Sequence, residues 1–163
     1  MGMALEWRAR GGERAPWESP AVRGLAGRLG AAAACAGEAV VPMVVEGREG
    51  TLLTAVGSEA DHNAAKIVDE MSSELEGVEV TVATDLEKSC RQADIIVSAT
   101  ASHEPLVLGD WVTEGTHTDF IGNHHADKRE CDTSLILKSR VYADSYANCF
   151  KEAGEILVPI SEG

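Results

Sequence analysis

From Val40 onward the apolar and polar positions fall into two alternating periods, and each change of period predicts a new element. Pro42 to Glu46 and Thr51 to Val56 are short apolar runs on either side of Gly47-Arg-Glu-Gly50, the pattern of a β-hairpin that pairs Met43 to Glu46 with Leu52 to Val56. Four residues cannot hold a crossover, so this pair must be antiparallel. Ala64, Ile67, Val68, Met71 and Leu75 share one helical face, and Gly77 stands where a helix ends. Val78, Val80 and Val82 alternate with Glu79 and Thr81 as a half-buried strand. Thr84-Asp-Leu-Glu87 has the form of a capping box and opens a helix through about Gln92. Ile95 to Thr100 is a continuous apolar run of the kind covered on both faces in a parallel sheet. Thr116 to Ile121 predicts a strand, Asp132 to Lys138 a helix and Arg140 to Ala143 a last short strand.

Strands separated by helical segments imply βαβ units, and hence a doubly wound α/β domain with a mainly parallel sheet over residues 51–163. Residues 1–50 have a different character. They contain no Lys and no Asp, and 6 Arg balance 6 Glu there, so the whole net charge of −13 falls in residues 51–163. Gly11 to Gly30 keeps no period and predicts irregular structure; Ala31 to Ala39 predicts a short helix.

The acidic excess argues against a general binder of phosphate backbones, which needs clustered Lys and Arg. No apolar run approaches the roughly 20 residues that span a bilayer, and no secretory leader is recognisable. Cys35, Cys90, Cys131 and Cys149 form no C-x-x-C pair, so buried free thiols in a reducing cytoplasm are expected.

Ligands of an open α/β sheet bind beyond the carboxyl ends of its strands. Two clusters stand there: Ala101, Ser102 and His103 after one strand, and Gly122, Asn123, His124 and His125 after the other. By residue type alone, Ser102 could equally cap a turn and Gly122 merely permit one. Adjacent residues point apart and no H-x-x-x-H pair is present, so His117, His124 and His125 with Cys131 and Asp132 do not predict a metal site.

Across residues 61–163 a longer series can be read in order. It runs through Ala93-Asp-Ile-Ile-Val-Ser-Ala-Thr-Ala-Ser102, Gly109-Asp-Trp111, Gly115-Thr-His117, Ile121-Gly122, Lys128-Arg-Glu130, Asp132 and Glu152-Ala-Gly-Glu-Ile-Leu-Val-Pro-Ile160. This series resembles the ornithine cyclodeaminase and mu-crystallin family. The resemblance implies a Rossmann-like domain that binds NAD or NADP, homodimers, and small amino or imino acids as substrates. It implies that Ala99, Thr100, Ala101 and Ser102 lie along the dinucleotide and that Phe120, Ile121 and Gly122 approach the nicotinamide.

Two departures qualify it. A recognisable first strand followed by G-x-G-x-x-G is absent; Gly24-Leu-Ala-Gly27-Arg-Leu-Gly30 has another spacing and no apolar strand before it. Dinucleotide binding is therefore expected to be weakened or lost; Val40-Val-Pro42 and Leu52 to Val56 resemble the family's substrate domain, and the poorly specified residues 1–50 are expected to be a remnant of that substrate and dimerisation domain. Where cyclodeaminases carry a carboxylate, two residues after the glycine, this chain has His124, with Asp127 a displaced alternative. Histidine can take a proton near neutral pH, so His124 is the candidate catalytic residue, but loss of the carboxylate argues against ornithine deamination and favours a reductase-like or otherwise diverged parent. The alternative expectation is a rearranged, non-catalytic family member acting through association.

Overall fold

The computed structural model describes residues 3–6, 40–47, 50–57, 65, 68–69, 72–73, 79–100, 102–122 and 124–163. Seven strands form one sheet: β1 (Met3–Glu6), β2 (Val40–Gly47), β3 (Gly50–Gly57), β4 (Glu79–Ala83), β5 (Ile95–Ser98), β6 (His117–Phe120) and β7 (Arg140–Ala143). Their spatial order is β4-β3-β2-β5-β6-β1-β7. Among the described residues, helices α1 (Leu86–Gln92), α2 (Thr133–Lys138), α3 (Tyr146–Glu152) and α4 (Gly154–Glu162) accompany the sheet in an α/β architecture.

The hairpin forms in the predicted sense. β2 and β3 pair antiparallel from Val40↔Gly57 to Gly47↔Gly50, so the two glycines enter the ladder and only residues 48 and 49 lie between the strands. Ala65, Val68, Asp69, Ser72 and Ser73 are helical, as the periodicity requires; the rest of the predicted 64–75 helix lies outside the described residues, as do Gly11 to Gly30 and Ala31 to Ala39.

The sheet is mixed, which corrects the expectation of a mainly parallel one. β3 pairs parallel with β4, and β5 with β6. Every antiparallel contact involves β1 or β2, including β2 against β5 at Met43↔Ile96 and Val44↔Ile95. In a doubly wound sheet ordered 3-2-1-4-5-6, the first strand lies centrally and carries the phosphate loop at its carboxyl end. β4, β3, β2, β5 and β6 take the first five places of that order, with β2 in the central one. β2 is reversed there. Its amino end, Val40, lies beside the carboxyl end of β3 at Gly57, and its own carboxyl end faces the opposite edge.

Two smaller differences have local causes. The N-cap of α1 is Asp85 rather than Thr84: its carboxylate accepts from the Lys88 amide at 2.9 Å, and a charged acceptor at a helix start outcompetes a hydroxyl. Burial does not alternate cleanly along β4, where Val82 is 39% exposed, because β4 is an edge strand with a single neighbour.

All four residues of β5 are buried, as a strand covered on both faces requires. Ile96 and Phe120 enter a core with Cys90, Ala93, Val107, Val112, Cys131, Leu135, Cys149 and Ala153. Among the described residues no helix is long and apolar enough to cross a membrane.

Candidate active site

β5 and β6 run parallel in register, Ser98 beside Phe120, so their carboxyl ends emerge together at one edge. The Ile121 amide donates to the Ser98 carbonyl at 2.9 Å, extending the pairing one residue further. Gly122 then lies against the peptide of Thr100. A Cβ at residue 122 would stand 2.3 Å from the Thr100 carbonyl oxygen and 2.5 Å from the Ala99 carbonyl carbon. Its φ is not positive, so glycine is required here for close approach rather than for a turn.

A wholly buried carboxylate ties these ends together. Glu130 Oε1 accepts from the Ser98 hydroxyl at 2.6 Å and from the Thr100 amide at 2.5 Å, while Oε2 accepts from the Gly122 amide at 3.0 Å. Its backbone is held as well: the carbonyl accepts from the Leu106 and Val107 amides at 2.9 and 3.0 Å. The Glu130 amide donates at 3.0 Å to the side chain of Glu155, a second buried carboxylate in the first turn of α4. Burial pushes the Glu155 carboxyl above its ordinary range, and the nearby Glu130 acts in the same direction; the Glu130 amide and Arg129 oppose it.

The predicted site residues distribute unevenly around this junction. Ala99 and Thr100 are buried at the β5 end; Ala101 lies outside the described residues. Ser102 accepts the turn role, its amide donating to Thr100 Oγ1 at 3.2 Å and its hydroxyl to the Glu104 carbonyl at 2.7 Å. The Phe120 side chain packs in the core, so only its backbone is presented at the edge; Ile121 and Gly122 are half-buried. His124 and His125 are exposed and their rings stack, 4.7 Å between centroids and 29° between planes. This corrects the expectation that adjacent side chains point apart: the loop is not an extended strand, and the two rings cover one another. The loop is anchored where the Lys128 amide donates to the His125 carbonyl at 3.2 Å and the Lys128 carbonyl meets Gly154, whose Cβ would come within 1.8 Å of it. Asp127 is exposed on the same loop.

Neither Glu130 nor Glu155 stands out in the sequence beyond its place in the family series. A glutamate among charged neighbours reads as solvated surface, and the donors that hold Glu130 come from positions up to 32 residues away. Among the described residues no group of three or more His, Cys, Asp or Glu side chains is gathered to hold a metal ion.

Buried hydroxyls, small residues and backbone converge at two adjacent parallel strand ends, the kind of edge that could receive one half of a dinucleotide. Among the described residues, nothing at this edge offers the pyrophosphate half a counterpart. Among the described residues, the central position offers the amino end of β2 at this edge, without a glycine loop or a helix N-terminus following it.

The family model for ornithine cyclodeaminase/mu-crystallin proteins matches residues 49–162. The Delta(1)-pyrroline-2-carboxylate reductase of Colwellia psychrerythraea is 41% identical over 98 residues, 60% of this chain and 31% of that one. The ketimine reductase mu-crystallin of Rattus norvegicus is 31% identical over 90 residues, 55% of this chain and 28% of that one. Among solved structures, the Thermococcus litoralis Delta(1)-pyrroline-2-carboxylate reductase in complex with NADH and L-proline superposes with a TM-score of 0.60 at 32% identity. That superposition covers 68% of this chain and 34% of the other. The chain thus spans about a third of the length of the relatives it matches.

Proposed function

This chain belongs to the ornithine cyclodeaminase/mu-crystallin family, and from that premise we propose that it carries the nicotinamide side of an NAD(P)-dependent amino- or imino-acid site of reductase type. The observation that carries the proposal is the β5–β6 junction, where Glu130 holds the Thr100 and Gly122 amides in one arrangement. When bound, a nicotinamide supplies the hydride chemistry. The part of this chain is placement: Thr100 and Ser102 border the ligand from one strand end, Ile121 and Gly122 from the other. His124, two residues beyond Gly122, exchanges the proton at the substrate nitrogen.

A reversed β2 in the central position supports binding that is weaker than in a full-length relative. Calorimetric titration with NADH and NADPH tests this. A micromolar Kd, about −8 kcal/mol, would overturn the weak-binding part by revealing a phosphate site beyond the described residues. An assay with Delta(1)-pyrroline-2-carboxylate and reduced cofactor tests the chemistry. His124→Ala abolishes turnover, while His125→Ala, losing only the stacking partner, retains most of it. Full turnover in His124→Ala removes that residue from the mechanism.

A second reading, a non-catalytic family member that acts by association, is favoured by the C-terminal helices. Leu137, Tyr146, Phe150 and Ile160 are 56–79% exposed there, and Tyr146 stacks on Phe150 with 6.2 Å between ring centroids. A homodimer is the first form to seek, by sedimentation. Three buried free thiols suit the reducing cytoplasm expected for the chain.

A further inference from the structure

We infer that Glu130 is the positioning residue of this edge: it sets the relative placement of the Thr100 and Gly122 amides, and so the geometry of any ligand held between the two strand ends. The second half of this inference rests on the nicotinamide reading above; the first does not.

Four segments of the chain meet on this one residue. Its side chain receives Ser98, Thr100 and Gly122, its carbonyl receives Leu106 and Val107, and its amide is fixed on Glu155. All three side-chain contacts have Glu130 as acceptor, and its residue is 0% exposed. The acceptor carboxylate is fully buried, which makes each contact stiffer than on a surface. Held at both backbone and side chain, the carboxylate has no rotamer freedom with which to follow a moving loop. Displacing the β5 end leaves the buried Thr100 amide without its acceptor, and displacing the other end does the same to the half-buried Gly122 amide.

Glutamine has the same shape but only one acceptor oxygen, its other terminal group being a donor. In Glu130→Gln, either the Gly122 amide or the Thr100 amide therefore faces an NH2 group, and the two strand ends are no longer held by one group.

The test is residue-resolved amide hydrogen exchange on the unaltered chain, Glu130→Gln and Ser98→Ala, followed by NADH titration of each. Glu130→Gln should accelerate exchange at Thr100, Gly122 or both at least tenfold, with the α1 amides of Ser89 and Arg91 unchanged. Ser98→Ala, which removes the hydroxyl that donates to Glu130 Oε1 and so loosens the carboxylate, should accelerate Thr100 about threefold. Unchanged exchange at both amides, or equal acceleration everywhere, overturns the positioning role. If Glu130→Gln does not fold, Ser98→Ala decides alone: unchanged Thr100 exchange overturns the inference. In the titrations, NADH affinity should fall at least tenfold in Glu130→Gln and less in Ser98→Ala. Equal affinity in a variant with loosened amides overturns the link to the ligand. No heat even from the unaltered chain overturns the nicotinamide reading instead, and the exchange rates then decide for Glu130.

Discussion

Gly122 lies so close to Thr100 that a Cβ on residue 122 would stand 2.1 Å from the Thr100 amide nitrogen. The obstructing atoms are backbone of a buried strand end, which cannot swing away as a flexible side chain would. The same amide is the one that Glu130 accepts, so the contact and the hydrogen bond hold one geometry between them. Gly122→Ala should accordingly destabilise the fold by about 1–3 kcal/mol, the usual range for forced overpacking. Urea unfolding should show the midpoint falling at unchanged slope. An unaltered midpoint would mean that the β6 end can withdraw from β5 without cost.

Asp132 provides the next prediction. It is the N-cap of α2, accepting from the Leu135 amide at 3.0 Å, and the same oxygen also accepts from the Gly109 amide at 2.8 Å. Asp132→Ala therefore removes the cap and strands a second amide, for a loss of about 1–3 kcal/mol. Asp132→Asn, which keeps an acceptor oxygen, should lose less. Thermal unfolding of the two variants checks the order, and equal losses would refute a capping origin.

The pH dependence of stability should bear the mark of Glu155. Its carboxyl is raised above its ordinary value of 4.5, chiefly by burial. The sign follows from linkage: as pH rises past the ordinary value, the unfolded chain releases this proton before the folded one does. The stability contribution is fully present below the ordinary value and is lost as pH rises through the raised one. Glu155→Gln, which still offers an oxygen to the Glu130 amide, removes that loss. The difference in melting temperature, variant minus unaltered chain, should grow in the variant's favour from pH 4 to pH 8. A difference independent of pH would show that Glu155 titrates as an ordinary surface carboxylate.

The thiols should be inert in the native state. Burial pushes Cys90 up to about 12 and raises Cys131 and Cys149 in the same direction. Thiolate is the reactive form, so a disulfide reagent at pH 8 should modify these three residues at least tenfold more slowly in the folded protein than in guanidinium. Peptide mapping after a timed reaction identifies them. Rapid labelling of Cys131, 1% exposed, would mean that the segment carrying Glu130 opens readily.

Much of this molecule was legible in its sequence because the determining interactions are local. The hairpin follows from two apolar runs and a glycine-bounded turn, β5 from an unbroken apolar run, and β7 from residues 140–143, and each lies where period and turn chemistry put it. The family series likewise runs through the two strand ends that β5 and β6 bring to one edge. The placement of β2 was not legible. Antiparallel pairing with β3 follows from a short turn, but nothing local says that β2 enters the central position and pairs with β5 through Met43 and Val44. Glu130 was hidden for the same reason. Its charge reads as surface until the fold brings Ser98, Thr100 and Gly122 to it, because a buried carboxylate is stabilised by donors that the chain supplies from distant positions. Period and capping act within a few residues and can be read along the chain, whereas strand order and the satisfaction of a buried charge exist only once those distant segments have met.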